Sequence, residues 1–242
     1  MTQIGSFDLE KRAAVVAVIL EEPLETSKKA AEKGADILEI RLDLLGIRDL
    51  ERAAEMIRKI KSETGLPILI TNRSAVEGGK WEGKEDDRIG LLTGLFSFKE
   101  GSDAIDIELS AGRKERDKII KAAKNHGKTV IVSSHDFLKT PSPQDMRTTL
   151  EEMFLAGADI AKLAIMPQSM EDTLNLLKVT LEFKNAGKSV CTIAMGGQGK
   201  HTRVVAPLYG SVLTYASIES DTAAAPGQLP VDELKKMMEM LK

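Results

Sequence analysis

The chain is poor in the features that commit a protein to several common designs. It has one cysteine, Cys191, among 242 residues, which excludes an intrachain disulfide framework and a cysteine-cluster metal site. Neither sign of charge dominates: 34 Lys and Arg against 37 Asp and Glu give a net charge of -3, with the basic residues spread through mixed-sign helical patterns. That leaves no electrostatic footprint for nucleic acid or an anionic membrane, though small anions remain admissible partners. Long apolar runs are missing too. AAVVAVIL at 13–20 stops at Glu21 and Glu22, has no small-residue cleavage site behind it and reads as a first buried strand, so no membrane partner is expected. Cysteine scarcity fits a reducing compartment and a cytoplasmic location. No Pro/Ser-rich linker or composition shift divides the chain, and one domain over 1–242 is the simplest organisation.

What is present is a procession of short apolar runs. AAVVAVIL (13–20), DILEIRLD (36–43), PILITNR (67–73), DAIDIEL (103–109), TVIVSSHDF (129–137), IAKLAIM (160–166), SVCTIAMG (189–196) and VLTYAS (212–217) each have strand length and composition. Between them lie amphipathic helical stretches such as 49–65, 112–127 and 169–187, each closing on glycine. Eight βα units in about 250 residues predict an α/β fold of the (β/α)8 TIM-barrel type. A doubly wound open sheet competes, but it usually carries a Gly-rich turn after its first strand, and here EEPLET follows.

In a parallel barrel, chemistry gathers at the C-terminal ends of the strands. Those ends supply Glu39, Arg41 and Asp43; Arg73 with Glu77 just beyond; Asp106 and Glu108; His135 and Asp136; Lys162 within the sixth strand; and Arg203 at the end of GGQGKHTR, into which the seventh strand leads. A strand buried on both faces should be nearly all apolar, so this bias asks for a reason. Lys162 shares a face with Ile160, Ala164 and Met166. It is either an outward snorkelling side chain or a buried amine whose desolvation favours the neutral, nucleophilic form that attacks a ketone or aldehyde. His135 is one of three histidines and the one on a strand end. It is either a satisfied core histidine or the proton shuttle for an iminium. Glu39 with Arg41 reads as a register-fixing ion pair or as a hydroxyl site, and Arg73 as a partner of Glu108 or Asp106 or as a substrate group. Arg203 is a plausible anion clamp. Trp81 and Cys191 read as structural.

Taken together, DILEIRLDLL, TNRSAVEGGKW, DAIDIEL, IVSSHDF, GADIAKLAIMPQS and APGQL resemble the successive signatures of the type I 3-dehydroquinate dehydratases, in order over residues 36–229. The resemblance implies a cytoplasmic eight-stranded barrel, commonly dimeric, with no metal and no organic cofactor. Its implied reaction removes water from 3-dehydroquinate to give 3-dehydroshikimate. It places the Schiff-base lysine at Lys162, the general acid/base at His135 and its orienting carboxylate at Glu77. Glu39, Arg41 and Arg73 match the groups that hold ring hydroxyls, Arg203 the carboxylate-binding arginine, and Gln228 the glutamine of a loop, 219–228, that closes over substrate. Two positions depart from the pattern: Ala224 stands where a serine is common, and Thr202 does likewise, with Lys200 and His201 beside it. Two other functions fit parts of the sequence. A Schiff-base aldolase would also want a buried lysine on the sixth strand, and a silent binding barrel would keep the charges only as ion pairs.

Overall fold

The structure, a computed structural model, describes all residues except 1, 99, 220–223 and 242. A short antiparallel hairpin, β1 (Gln3–Ile4) and β2 (Phe7–Asp8), precedes eight parallel strands. These are β3 (Ala14–Ile19), β4 (Ile37–Arg41), β5 (Ile68–Thr71), β6 (Ala104–Glu108), β7 (Thr129–Asp136), β8 (Ile160–Ile165), β9 (Val190–Ala194) and β10 (Leu213–Ala216). Each corresponds to one of the eight runs in the sequence. Their order, β10-β3-β4-β5-β6-β7-β8-β9, nearly closes on itself. The β9–β10 seam is held by a parallel bridge between Val190 and Ser211, with the Val212 N–H donating to the Val190 carbonyl at 2.8 Å.

The helices between the strands are α1 (Pro23–Glu32), α2 (Leu50–Thr64), α3 (Glu85–Leu95), α4 (Arg113–Asn125), α5 (Pro143–Leu155), α6 (Met170–Asn185), α7 (Gly196–Gly199), α8 (Thr202–Tyr209) and α9 (Val231–Met240). Local chemistry sets several boundaries. The Asp49 side chain caps α2 by accepting from the Arg52 N–H at 2.8 Å, and Gly65 ends it at φ 66. Ser169 and Asp172 form a reciprocal capping box at the start of α6.

Period-two alternation divides each barrel strand between two cores. On β8, Ala161, Leu163 and Ile165 join the layer between sheet and helices. Ile160 and Ala164 point inward with Ile37, Leu69, Ala104, Ile131 and Leu213, and Ile4 and Leu9 of the hairpin segment close the foot of that interior. Lys162 lies between Ile160 and Ala164 on the same inward face and is 4 % exposed, so the snorkelling reading is set aside. The hairpin has no sequence signal because each of its strands is two residues long. Helix α3 lacks an apolar stripe because Arg88, in its middle, is buried rather than solvated.

Candidate active site

The upper interior replaces apolar residues with ionisable ones at alternating positions: Glu39 and Arg41 on β4, Asp106 and Glu108 on β6, His135 on β7 and Lys162 on β8, with Arg73 two residues past β5. Adjacent registers bring them together, pairing Glu39 with Leu69, Thr71 with Asp106 and Ser133 with Lys162.

Lys162 Nζ donates to Asp106 Oδ2 at 2.9 Å, lies 3.9 Å from Glu39 Oε1 and sits 4.1 Å from the centre of the Tyr215 ring. The lysine expected amid apolar neighbours is therefore paired. Asp106 also meets Arg73 Nη2 at 2.9 Å and accepts from Ser133 Oγ at 2.6 Å. Burial alone would push the Asp106 carboxyl up; the cations Arg73 and Lys162 overcome this and hold it far below the usual carboxylate range. Arg73 is fully enclosed and stays charged, its desolvation outweighed by Asp106 and Glu108. Glu108 is shared: Arg73 Nη1 lies at 3.2 Å, Arg88 Nη1 donates at 2.7 Å and the Ser74 N–H donates at 2.9 Å. Arg73 thus pairs with both carboxylates that the sequence offered as alternatives.

Glu39 and Arg41 do not pair with each other, contrary to the register-fixing reading. Arg41 turns to Asp43, donating from Nε at 2.9 Å and from Nη2 at 2.7 Å, while Glu39 accepts from Thr71 Oγ1 at 2.8 Å. The bidentate match of guanidinium to carboxylate favours Asp43, which also accepts the Lys80 N–H at 3.1 Å.

Glu77 ends a 3-10 turn, Ala75–Glu77, in the loop after β5. One carboxylate oxygen accepts both from the His135 backbone N–H at 3.1 Å and from Nδ1 at 2.9 Å, and Ser110 Oγ donates to the other. Burial, followed by the charges of Arg73 and Lys162, drives the His135 pKa well below its ordinary value, while burial raises that of Glu77. The contact is therefore a hydrogen bond from a neutral imidazole. With Nδ1–H given to Glu77, Nε2 is the ring's acceptor. The loop is folded tightly enough to demand glycine: a Cβ on Gly79 would lie 2.0 Å from the Arg73 carbonyl oxygen.

Arg203, on α8, is buried and held through Nη1 to the Tyr215 carbonyl at 3.3 Å and Nη2 to the Pro226 carbonyl at 3.1 Å. Its partners are neutral, so burial lowers its pKa to about 10. Gln228 reaches the same wall, its Oε1 accepting the Ala224 N–H at 2.8 Å. Gly227 packs so closely that a Cβ would stand 2.6 Å from the Gly196 carbonyl oxygen. Part of the loop expected to close, 220–223, lies outside the described residues. Cys191 sits beside Lys162 in register, and burial raises its thiol to about 12, leaving it inert.

These groups line one cavity. Its wall contains all eight residues to which the resemblance gives a role: Glu39, Arg41, Arg73, Glu77, His135, Lys162, Arg203 and Gln228. Tyr215, Phe137 and Ala224 share it. Sequence reading named Asp106 at the end of the fourth apolar run without giving it a site role, and left out Ser133, which with Asp106 grips the lysine and the arginine, and Arg88, which anchors Glu108. The alternation of Asp106 with Glu108 on an otherwise apolar strand was a signal for the first; nothing in helix α3 marked Arg88. Among the described residues no His, Cys, Asp and Glu cluster is suited to holding a metal ion.

The family model for type I 3-dehydroquinase matches residues 13–242. The 3-dehydroquinate dehydratase of Methanosarcina acetivorans is 80 % identical over 242 residues, covering 100 % of both chains, and that of Methanococcoides burtonii is 54 % identical over the same span. Among solved structures, the type I 3-dehydroquinate dehydratase of Clostridium difficile, bearing a covalently modified comenic acid, superposes with a TM-score of 0.92 at 29 % identity, covering 100 % of this chain and 96 % of its own. The enzyme from Geobacillus kaustophilus gives a TM-score of 0.89 at 31 % identity, with coverage of 95 % and 91 %.

Proposed function

The chain belongs to the type I 3-dehydroquinase family, and from that membership we propose how its own residues divide the work. The reaction is the dehydration of 3-dehydroquinate through a Schiff base, a hydro-lyase step of the shikimate pathway. Lys162 is the amine that condenses with the C3 ketone. The iminium withdraws electrons and acidifies the adjacent C2–H. His135 takes that proton on Nε2 and returns one to the departing C1 hydroxyl, so a single imidazole serves as base and acid. Glu77 fixes its tautomer and holds its backbone and ring with one oxygen. Glu39, Arg41 and Arg73 hold ring hydroxyls, and Arg203 with Gln228 takes the substrate carboxylate. Arg203, a buried cation facing neutral carbonyls, has the electrostatic character this role needs.

The observation that carries this reading is the placement of a buried lysine and a neutral histidine, hydrogen-bonded to a carboxylate, in the wall of one cavity. Borohydride reduction with 3-dehydroquinate followed by peptide mass mapping tests it. A reduced adduct on Lys162 is expected, and Lys162→Ala should lose both adduct and turnover while staying folded, since Asp106 keeps Arg73. An adduct on another residue, or turnover in Lys162→Ala, would refute the assignment. The aldolase and silent-barrel readings predict no dehydration.

A cytoplasmic homodimer completes the proposal. Met170, Leu174 and Leu181 lie exposed along one face of α6, beside exposed Leu208 and Tyr209 of α8, and a second copy would cover them. Among the described residues, no helix is long and apolar enough to cross a membrane. Light scattering of wild type against Leu174→Glu measures the association.

A further inference from the structure

Among the described residues, two buried polar atoms of the cavity wall have no hydrogen-bond partner, Arg203 Nε and Tyr215 Oη. Anion binding accounts for the first. The second belongs to no role given so far. Tyr215 is 3 % exposed, and a buried phenol is expected to find a partner unless a ligand supplies one. Other hydroxyls of the interior are already engaged: Thr71 donates to Glu39 and Ser133 to Asp106. Ala224, also in the wall, has no hydroxyl to offer. Burial, reinforced by the negative charge of Glu39, raises the phenol's pKa well above its ordinary value, so it remains a donor. Its ring is in place as well, with Lys162 Nζ over the face at 4.1 Å from the centre. Nζ and the phenol thus share one patch of the wall, and a ketone that reaches Nζ comes up against the ring that carries Oη.

Resting on the assignment of Lys162 above, we propose that Tyr215 is a further catalytic residue: its hydroxyl donates to the substrate's ketone oxygen during imine formation, and its ring face holds the nitrogen in its cationic forms. The Lys162 ammonium first gives up a proton. Nζ then bonds to C3, the carbonyl π pair moves to oxygen, and that oxygen takes up a proton. The nitrogen, left cationic by the addition, then gives up a proton; its lone pair closes C=N as the C–O bond breaks, and the oxygen takes that proton and leaves as water. Ammonium and ketone thus become iminium and water with no net change in protons. Tyr215 stabilises charge on the oxygen through addition and collapse, and the cation–π contact favours the iminium that the step forms.

Rapid mixing of enzyme with 3-dehydroquinate, quenched into borohydride at increasing times and read by intact mass, gives the rate of imine formation. Wild type must label at Lys162; no label there refutes the underlying assignment whatever Tyr215 does. Tyr215→Phe keeps the ring and should slow labelling by about 10-fold or more, the scale of one hydrogen bond made in the transition state, with KM nearly unchanged. Its Tm should hold or rise, because a buried hydroxyl without a partner is gone. Tyr215→Leu should slow labelling further. Wild-type labelling in Tyr215→Phe, or a defect confined to KM, overturns the proposal even if Tyr215→Leu does not fold.

Discussion

At the foot of the barrel, Asp36 accepts from Arg12 Nη1 at 2.8 Å and Nη2 at 2.7 Å, from the Val15 N–H at 2.9 Å and from Lys235 Nζ at 3.2 Å. Inside the mouth, Asp106 gathers Arg73, Lys162 and Ser133 in much the same way. Each is a buried carboxylate with two cations, yet the surroundings differ. The cations of Asp36 come in from the rim, Arg12 being 44 % and Lys235 26 % exposed, and they tie the approach to β3, the start of β4 and α9 together. Those of Asp106 are 4 % and 5 % exposed and line a cavity. Water can replace a partner at the foot but not in the mouth, so the same constellation serves chain closure in one place and chemistry in the other.

Breaking the inner cluster should have the largest effect. Asp106→Asn leaves Arg73 and Lys162 enclosed with less negative charge, and should cost about 3–5 kcal/mol of stability in chemical denaturation as well as most turnover. Retention of both would remove the contrast. His135→Ala should reduce kcat by about 10²–10⁴-fold with imine labelling at Lys162 preserved. The acid limb of wild-type kcat/KM should lie below the ordinary histidine range, because burial and the charges of Arg73 and Lys162 depress this pKa. The unfolded chain binds the proton first, so the contribution of His135 is complete above about pH 6.5 and is lost as the pH falls toward the folded value. His135→Ala should show a shallower loss over that window.

Gln228→Ala should raise KM by the equivalent of about 1.5–3 kcal/mol, one charge-assisted hydrogen bond, with labelling intact. Arg203→Ala should cost more, and steady-state kinetics on the pair checks the order. The smallest effect belongs to the foot. Asp36→Asn should lower stability by less than Asp106→Asn, about 1 kcal/mol, since Arg12 and Lys235 both keep access to solvent, and leave kcat and KM unchanged. A catalytic defect there would mean that the two clusters are coupled.

The barrel was legible because strands enclosed on both faces have to be short runs of β-branched and aliphatic residues, and DILEIRLD or IAKLAIM can be little else. The site was legible for the complementary reason: a charge inside such a run, like Lys162 or Glu39, has no structural excuse. What stayed hidden depends on pairing in space. Arg41 chose Asp43 over Glu39 because two guanidinium N–H groups fit one carboxylate, a geometry that spacing along a strand does not reveal. Nothing along the sequence marked Arg88, whose partner Glu108 comes from β6. Nothing in VLTYAS set Tyr215 apart either, and the lack of a hydrogen-bond partner for its hydroxyl among the described residues emerges only from the fold.

Trp81 closes the loop that carries Glu77, its backbone N–H donating to the Arg73 carbonyl at 3.2 Å and its ring lying 5.1 Å from the Arg48 guanidinium carbon. It is also the sole tryptophan in the chain. Light absorbed at the red edge of the protein's ultraviolet band is therefore collected by one indole, fixed to the strip of backbone between Arg73 and Glu77. The molecule carries its own optical probe, whose emission registers the state of that strip without a dye or an added label.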